Sequence, residues 1–252
     1  MKNEKILYDD GTHKCIMFSI DEEDNNDRFL SVNQYLIIQK DDAIVIDPGA
    51  TTIFFELYEA ISKYIDPQHI KYLFITHQDP DVADSIEQWN LQTPAKIIIS
   101  EVWVRFMSHY GLMDMSKIIP LKDSGAKLKF GNDYFQFIPA HFLHSPGNFN
   151  LYDSRSKILF SGDIGALIMP IEEQIKEVKD FDEIKIYLDA FHTRYMGGNI
   201  FCKKWVEKTS KLDIQMMAPQ HGAILKDENV KKFFNWFSNL KCGADIIEQL
   251  YG

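Results

Sequence analysis

Four polar clusters, each set directly behind a short apolar run, constrain this 252-residue chain more than any other feature. They are THQDPD after KYLFI, PAHFLHSPG at the end of DYFQFIPA, SGDIG after KILF, and APQHG after QMM. Runs of this length, rich in β-branched and aromatic residues, read as strands. Loops at strand ends are where α/β scaffolds commonly carry functional groups, because the sheet fixes where each loop begins. In an extended segment the side chains at i, i+2 and i+4 can project the same way. His77, Asp79 and Asp81 could therefore converge, with His144, Asp163 and His221 delivered by the later clusters.

The remaining chain supplies strands and helices in both halves. HKCIMFSI, SVNQYLIIQ and AIVIDPG read as strands separated by DEEDNND and KDD. TTIFFELYEAISKYI has apolar residues at helical spacing, with Thr51 or Thr52 able to cap it. AKIIIS, SKIIPL, AKLKFG and SKILFSGD add strands, while VWVRFMSHYG, KDFDEIKIYLDAFHTRY, IFCKKWVEKTSK and ENVKKFFNWFSNL read as helices. No repeat, linker or composition shift marks a boundary. The expectation is one α/β domain over residues 1–252, strands inside and helices outside.

Composition removes several function classes. Lys and Arg number 27 against 37 Asp and Glu, a net charge of −10 that disfavours nucleic acid and anionic membrane as partners. Cys15, Cys202 and Cys242 are odd in number and form no CxxC pair, so reduced thiols are expected. The segment MKNEKILYDDGTHK lacks the apolar stretch of a signal peptide, and no segment approaches the ~18 apolar residues of a membrane span. These features point to a cytoplasmic protein.

Each cluster has a plainer explanation when taken alone. HxDxD can be a helix-capping turn, SGD a tight turn, and PQHG a strand end with a surface histidine. Four in this order, each behind a strand, favour a metal site. Their order resembles the metallo-β-lactamase superfamily, whose αββα sandwich holds two metals at one edge. The hydrolases of that superfamily carry HxHxDH, whereas this chain has Asp79 at the second histidine position and Val82 at the last. Those departures resemble the flavodiiron proteins, whose β-lactamase-like domain uses HxExD. HFLHSPGNF, KILFSGD, RYMGGNI and MAPQHGAIL look like segments of the same family, and the resemblance runs from about Ser31 to about Phe237. Asp79 replaces the usual Glu and is shorter by one methylene, which bears on the geometry of that ligand.

The resemblance implies a site with two non-haem irons, bridged by oxo, hydroxo or carboxylate groups. His77, Asp79 and His144 would bind one iron, Asp81 and His221 the second, and Asp163 would bridge them. Carboxylate-rich sets with imidazole suit iron or manganese, while zinc hydrolases of this fold use more imidazole. His144 rather than His141 matches the family's ligand, since it precedes SPG. Tyr195 of RYMGGNI matches a tyrosine beside the di-iron pocket, or else packs its ring in the core at a helix end. Asp47 of IVIDPG reads as orienting a ligand histidine, or as a plain turn residue. His13, His69, His109 and His192 lie outside the clusters and read as surface or packing residues.

Full flavodiiron proteins carry a flavodoxin domain that supplies electrons from FMN. The chain has no glycine-rich or Ser/Thr-rich phosphate loop, so no FMN is expected in it. Reducing O2 to water takes four electrons, of which two irons supply two. The resemblance is to the stand-alone oxygen-binding di-iron proteins. It implies O2 binding for sensing or signalling, with NO as a second ligand, a signalling partner or separate redox donor, and a homodimer. The alternatives are an O2 or NO reductase with an external donor, a zinc-dependent hydrolase, and a scaffold with a relic site.

Overall fold

Apolar runs buried on both faces explain the architecture. The computed structural model describes residues 3–23, 28–170 and 177–252. The first half forms β1 (Asn3–Asp9), β2 (His13–Glu23), β3 (Arg28–Gln39), β4 (Asp42–Ile46), α1 (Phe54–Ser62), β5 (Ile70–Phe74), α2 (Pro80–Ala83), α3 (Ile86–Gln92), β6 (Lys96–Ser100) and β7 (Ile118–Leu121). These strands lie in one sheet in sequence order, antiparallel from β1 to β4 and parallel from β4 to β7.

The second half adds β8 (Ala126–Phe130), β9 (Asp133–Pro139), β10 (Phe149–Asp153), β11 (Ile158–Gly162), β12 (Met169–Pro170), α4 (Phe181–Tyr195), α5 (Asn199–Thr209), β13 (Met216–Pro219), β14 (Leu225–Lys226), α6 (Glu228–Asn239) and α7 (Ile247–Tyr251). Its sheet runs β14-β13-β11-β10-β9-β8, while β12 crosses to pair with β3.

Side-chain alternation sorts the core into three layers. Cys15 and Met17 of β2, Tyr35 and Ile37 of β3, and Ile44 and Ile46 of β4 face the second sheet. Ile16, Phe18, Leu36, Ala43 and Val45 face the opposite way, onto α1 and α3. On the outer side of the second sheet, Leu188, Phe191, Trp205, Phe233 and Phe237 of α4, α5 and α6 form the third layer. The result is a metallo-β-lactamase-like αββα sandwich, as the resemblance implied.

Several local expectations need correction. VWVRFMSHYG is a run of 3-10 turns over Val104–Tyr110 rather than an α-helix. β1, β10, β12, β14 and α7 were not anticipated. β2 extends through Glu23 into the acidic run expected as a connection, and residues 24–27 of that run lie outside the described residues. Among the described residues, no helix is long and apolar enough to cross a membrane.

The sandwich is pinned away from its candidate site by a buried histidine–carboxylate contact. His13 Nε2 of β2 lies 2.7 Å from Asp153 Oδ2 of β10, both side chains fully enclosed, so the pair ties one sheet to the other. Burial works against the Asp153 charge, but hydrogen bonds from His13 and Ser156 hold its pKa below the ordinary carboxylate value. Asp153→Ala would leave the imidazole buried without its acceptor. It should lower the unfolding free energy by about 3–5 kcal/mol, as removal of one partner from a buried pair does. Urea denaturation of both proteins measures this, and a difference below about 1 kcal/mol, the range of exposed pairs, would refute it.

Candidate metal centre

Each polar cluster reaches one edge of the sandwich. His77 and Asp79 follow β5, and Asp81 lies in the single turn of α2. His144 lies between β9 and β10, Asp163 directly follows β11, and His221 follows β13. Gly162 makes the turn that presents Asp163: its φ is +55°, and an added Cβ would lie 3.2 Å from Thr76 Oγ1. Asp79 stands at the N-cap position of α2 with no capping hydrogen bond from its side chain. The capping explanation for HxDxD therefore fails, because the carboxylate faces the imidazoles instead.

The six side chains converge. Asp163 Oδ2 lies 2.7 Å from His144 Nε2 and 3.5 Å from His77 Nε2. Asp79 Oδ2 lies 3.4 Å from His144 Nε2 and 3.5 Å from His77 Nε2. On the other side of the same carboxylate, Asp163 Oδ1 is 3.6 Å from His221 Nε2, which is 3.0 Å from Asp81 Oδ2. One oxygen of Asp163 thus points into a His77–Asp79–His144 group and the other towards an Asp81–His221 group. With Asp163, the first group brings four candidate ligand atoms within 4.8 Å of one another.

The electrostatics fit cations. Asp163 is 3% exposed, yet despite burial its pKa is held far below the ordinary value by the surrounding imidazoles. Burial opposes the charged form of His144, but its hydrogen bonds to Asp163 and Asp79 outweigh that and raise its pKa to about 10. His77 Nε2 and Asp163 Oδ1 are buried with no hydrogen-bond partner. Such atoms are costly unless something else satisfies them. Two metal ions, one on each side of Asp163, would use both.

Further residues hold the candidate ligands in place. Asp47 is buried and accepts hydrogen bonds from Thr76 N (2.8 Å) and Thr76 Oγ1 (3.0 Å), and Thr76 Oγ1 lies 2.9 Å from His77 Nδ1. Asp47 thus acts on His77 through Thr76, and burial, partly offset by His77, pushes its pKa up to about 7. Gln78 donates to Asp79 Oδ1 (2.7 Å) and accepts from Ser145 Oγ (2.5 Å). Gln220 donates to Asp81 Oδ2 (3.1 Å). Thr76, Gln78, Ser145 and Gln220 were not anticipated, although all four adjoin a candidate ligand in sequence.

The other candidates separate cleanly. The Tyr195 ring lies 5.9 Å from that of His144 and stacks on Phe191, but it is 54% exposed, so the core-packing alternative fails. His141 turns away and bonds Asp123 O (2.9 Å). His192 is a core residue: it accepts from Gly165 N (2.9 Å) and donates from Nδ1 to Leu188 O (2.8 Å), steadying the loop behind Asp163. His13 is likewise in the core, whereas His69 and His109 are exposed. Val82, where the hydrolases have a histidine, is fully buried in the apolar layer under the first sheet.

Residues 30–222 match the family described as ODP family beta lactamase, and the chain belongs to that family. A solved structure of the peroxy diiron species of the chemotaxis sensor ODP superposes with a TM-score of 0.88 and 42% identity, over 98% of this chain and 100% of that one. An uncharacterised protein of Methanocaldococcus jannaschii is 30% identical over 85% of this chain and 55% of its own length. Flavo-diiron protein FprA2 of Clostridium acetobutylicum is 26% identical over 79% of this chain and 50% of its own length. The chain spans about half the length of these two relatives.

Two predictions follow from the placement of Asp163 and Thr76. Protein purified without oxygen from iron-replete cells should carry about two irons per chain; Asp163→Ala should lose both and Asp81→Ala one. Elemental analysis checks this, and an Asp163→Ala variant that keeps one iron would show that the carboxylate serves a single metal. Thr76→Val, which cuts the link from Asp47 to His77, should weaken metal affinity about 10–100-fold, measured by competition with a chelator.

Proposed function

We propose that this member of the ODP family is a two-iron protein that binds O2 and uses that binding as a signal. The observation that carries the reading is the position of Asp163 between two groups of candidate ligands. The donor set, three imidazoles and three carboxylates, is the hard, oxygen-rich kind that suits iron better than zinc. His77, Asp79 and His144 would hold one ion, Asp81 and His221 the other, and Asp163 would bridge them. When bound, ferrous ions supply two electrons and open coordination positions to O2. Asp47 and Thr76 orient His77, Gln78 orients Asp79, and Gln220 orients Asp81. The ring of Tyr195 covers the outer side of His144.

Sensing is favoured over turnover by the strength and extent of the similarity. The chain matches the chemotaxis sensor along both full lengths, whereas it matches half of the flavo-diiron relative. The same reading treats residues 1–252 as one metallo-β-lactamase-like unit without FMN, acting in the cytoplasm. It includes a homodimer and a signalling partner that reads the loops bearing His144 and Asp163, provided the two states of the centre differ in affinity for it. NO is a second small ligand for the same positions. A reductase fed by a separate donor is the alternative, supported by the flavo-diiron relative.

Reduced, iron-loaded protein mixed with O2 in a stopped-flow spectrometer should change colour once, within a single turnover and without added donor. Asp163→Ala should abolish the change. An inert reduced protein would contradict O2 binding. Sustained O2 consumption driven by NADH alone would contradict the sensor.

A further inference from the structure

Away from the candidate centre, two thiols meet in the helical layer over the second sheet. Cys202 of α5 and Cys242, just after α6, are both fully buried, and their Sγ atoms are 3.8 Å apart. Cys15 is elsewhere, with its Sγ 3.7 Å from Asp153 Oδ2, beside His13. The backbones that carry the pair are clamped together. Gly198 and Gly243 form an isolated antiparallel bridge, Gly243 N donates to Thr193 O (3.1 Å), and Ala244 N donates to Gly197 O (3.1 Å). A Cβ on Gly243 would fall 2.1 Å from Met196 O, so this close approach requires glycine there. Asp245 Oδ2 closes the clamp by accepting from Asn199 N (2.6 Å) and Cys242 N (3.2 Å).

We propose that Cys202 and Cys242 form a dithiol that a hydroperoxide oxidises to a disulfide. The clamp holds the two sulfurs in contact, so side-chain rotation with a small backbone adjustment can bring them to the ~2.05 Å of a bond. Buried thiols are ordinarily inert, but the residues flanking Cys242 reach solvent: Lys241, Ala244 and Asp245 are exposed. The two thiols share one hydrogen bond, and Cys242, flanked by exposed residues, is the attacking sulfur while Cys202 keeps the proton.

The chemistry balances. The Cys242 thiolate attacks one peroxide oxygen, the O–O bond breaks, and the departing oxygen takes a proton to leave as water, or as an alcohol from an organic hydroperoxide. This gives a sulfenic acid on Cys242. Cys202 sulfur then attacks that sulfur, the S–O bond breaks, and the hydroxyl leaves as water with the Cys202 proton. Overall two thiols and one hydrogen peroxide become one disulfide and two waters. The thiols lose two electrons and the peroxide gains them.

The pair also sits where it can be felt at the candidate centre. Phe201, next to Cys202, packs on Phe142 with ring centroids 4.7 Å apart, and Phe142 lies two residues before His144. The clamp at Gly197 and Gly198 follows Tyr195, whose ring faces His144. A bond between Cys202 and Cys242 would fix α5 to the segment after α6, which Gly243 N already ties to Thr193 O of α4. Thiol oxidation would then be a second input, chemically distinct from ligand binding at the metals.

The test treats the full-length protein, as purified and after metal removal, with hydrogen peroxide. Free thiols are then alkylated under denaturing conditions and counted by mass spectrometry. Both preparations should lose two thiols, yield a peptide linking Cys202 to Cys242 and leave Cys15 free, with dithiothreitol reversing the change. The loop closed has |i−j| = 40, so the oxidised form should melt roughly 5–15 °C higher. Cys202→Ala should stop at a sulfenic acid on Cys242 that dimedone traps, and Cys242→Ala should leave Cys202 unoxidised; thermal melts check that both variants fold. Three free thiols after peroxide, or links through Cys15 or between chains, would overturn the proposal.

Discussion

The Asp163 carboxylate is the constraint around which the rest is arranged. It is nearly enclosed, surrounded by His77, His144 and His221, and one of its oxygens has no hydrogen-bond partner. A carboxylate in such surroundings is tolerated only if positive charge is brought to it. Without metals, the carboxylates facing His144 and His77 outweigh burial and favour their protonated forms. With metals, the same nitrogens and oxygens would be the ligands we propose. The carboxylate, with one oxygen towards each group, marks where cations would sit.

Holding that geometry is the task of the sandwich. Tyr35 Oη donates to Pro219 O (2.5 Å), and Asn33 Nδ2 donates to Pro219 O (3.0 Å) and Gly222 O (3.1 Å), so β3 fixes both sides of His221. Phe149 N donates to Thr76 O (2.9 Å), joining the second sheet to the turn that carries His77. His192 steadies the loop behind Asp163 from α4. The candidate ligands come from four loops widely separated in sequence, but each loop is anchored within a residue or two of its ligand. Little ordering remains to be done when a metal arrives, which favours tight and specific coordination.

The sequence made the strands and the candidate ligands readable because both follow from local chemistry. The apolar stretches III of β6 and AIVI of β4 are buried on both faces and so announce a sheet covered on both sides. The six candidate ligands are polar residues in positions where an apolar run ends. What could not be read lies in tertiary contacts. The role of Thr76 depends on Asp47, 29 residues away, and that of Gln220 on Asp81, 139 residues away. VWVRFMSHYG has helical apolar spacing but winds as 3-10 turns, closed at Gly111 with φ +81°. The contact between Cys202 and Cys242 spans 40 residues and leaves no mark in their local sequence. His13 and His192 look like any surface histidine until their buried acceptors, Asp153 Oδ2 and Leu188 O, are seen.

The central claim is that this edge of the sandwich holds two irons with Asp163 between them. The most direct measurement is anomalous X-ray scattering at the iron absorption edge from crystals of protein purified without oxygen. The account predicts two iron peaks per chain, one among His77, Asp79 and His144 and one beside Asp81 and His221, with an oxygen of Asp163 directed at each. A single iron peak, or peaks that appear only at the zinc edge, would contradict it.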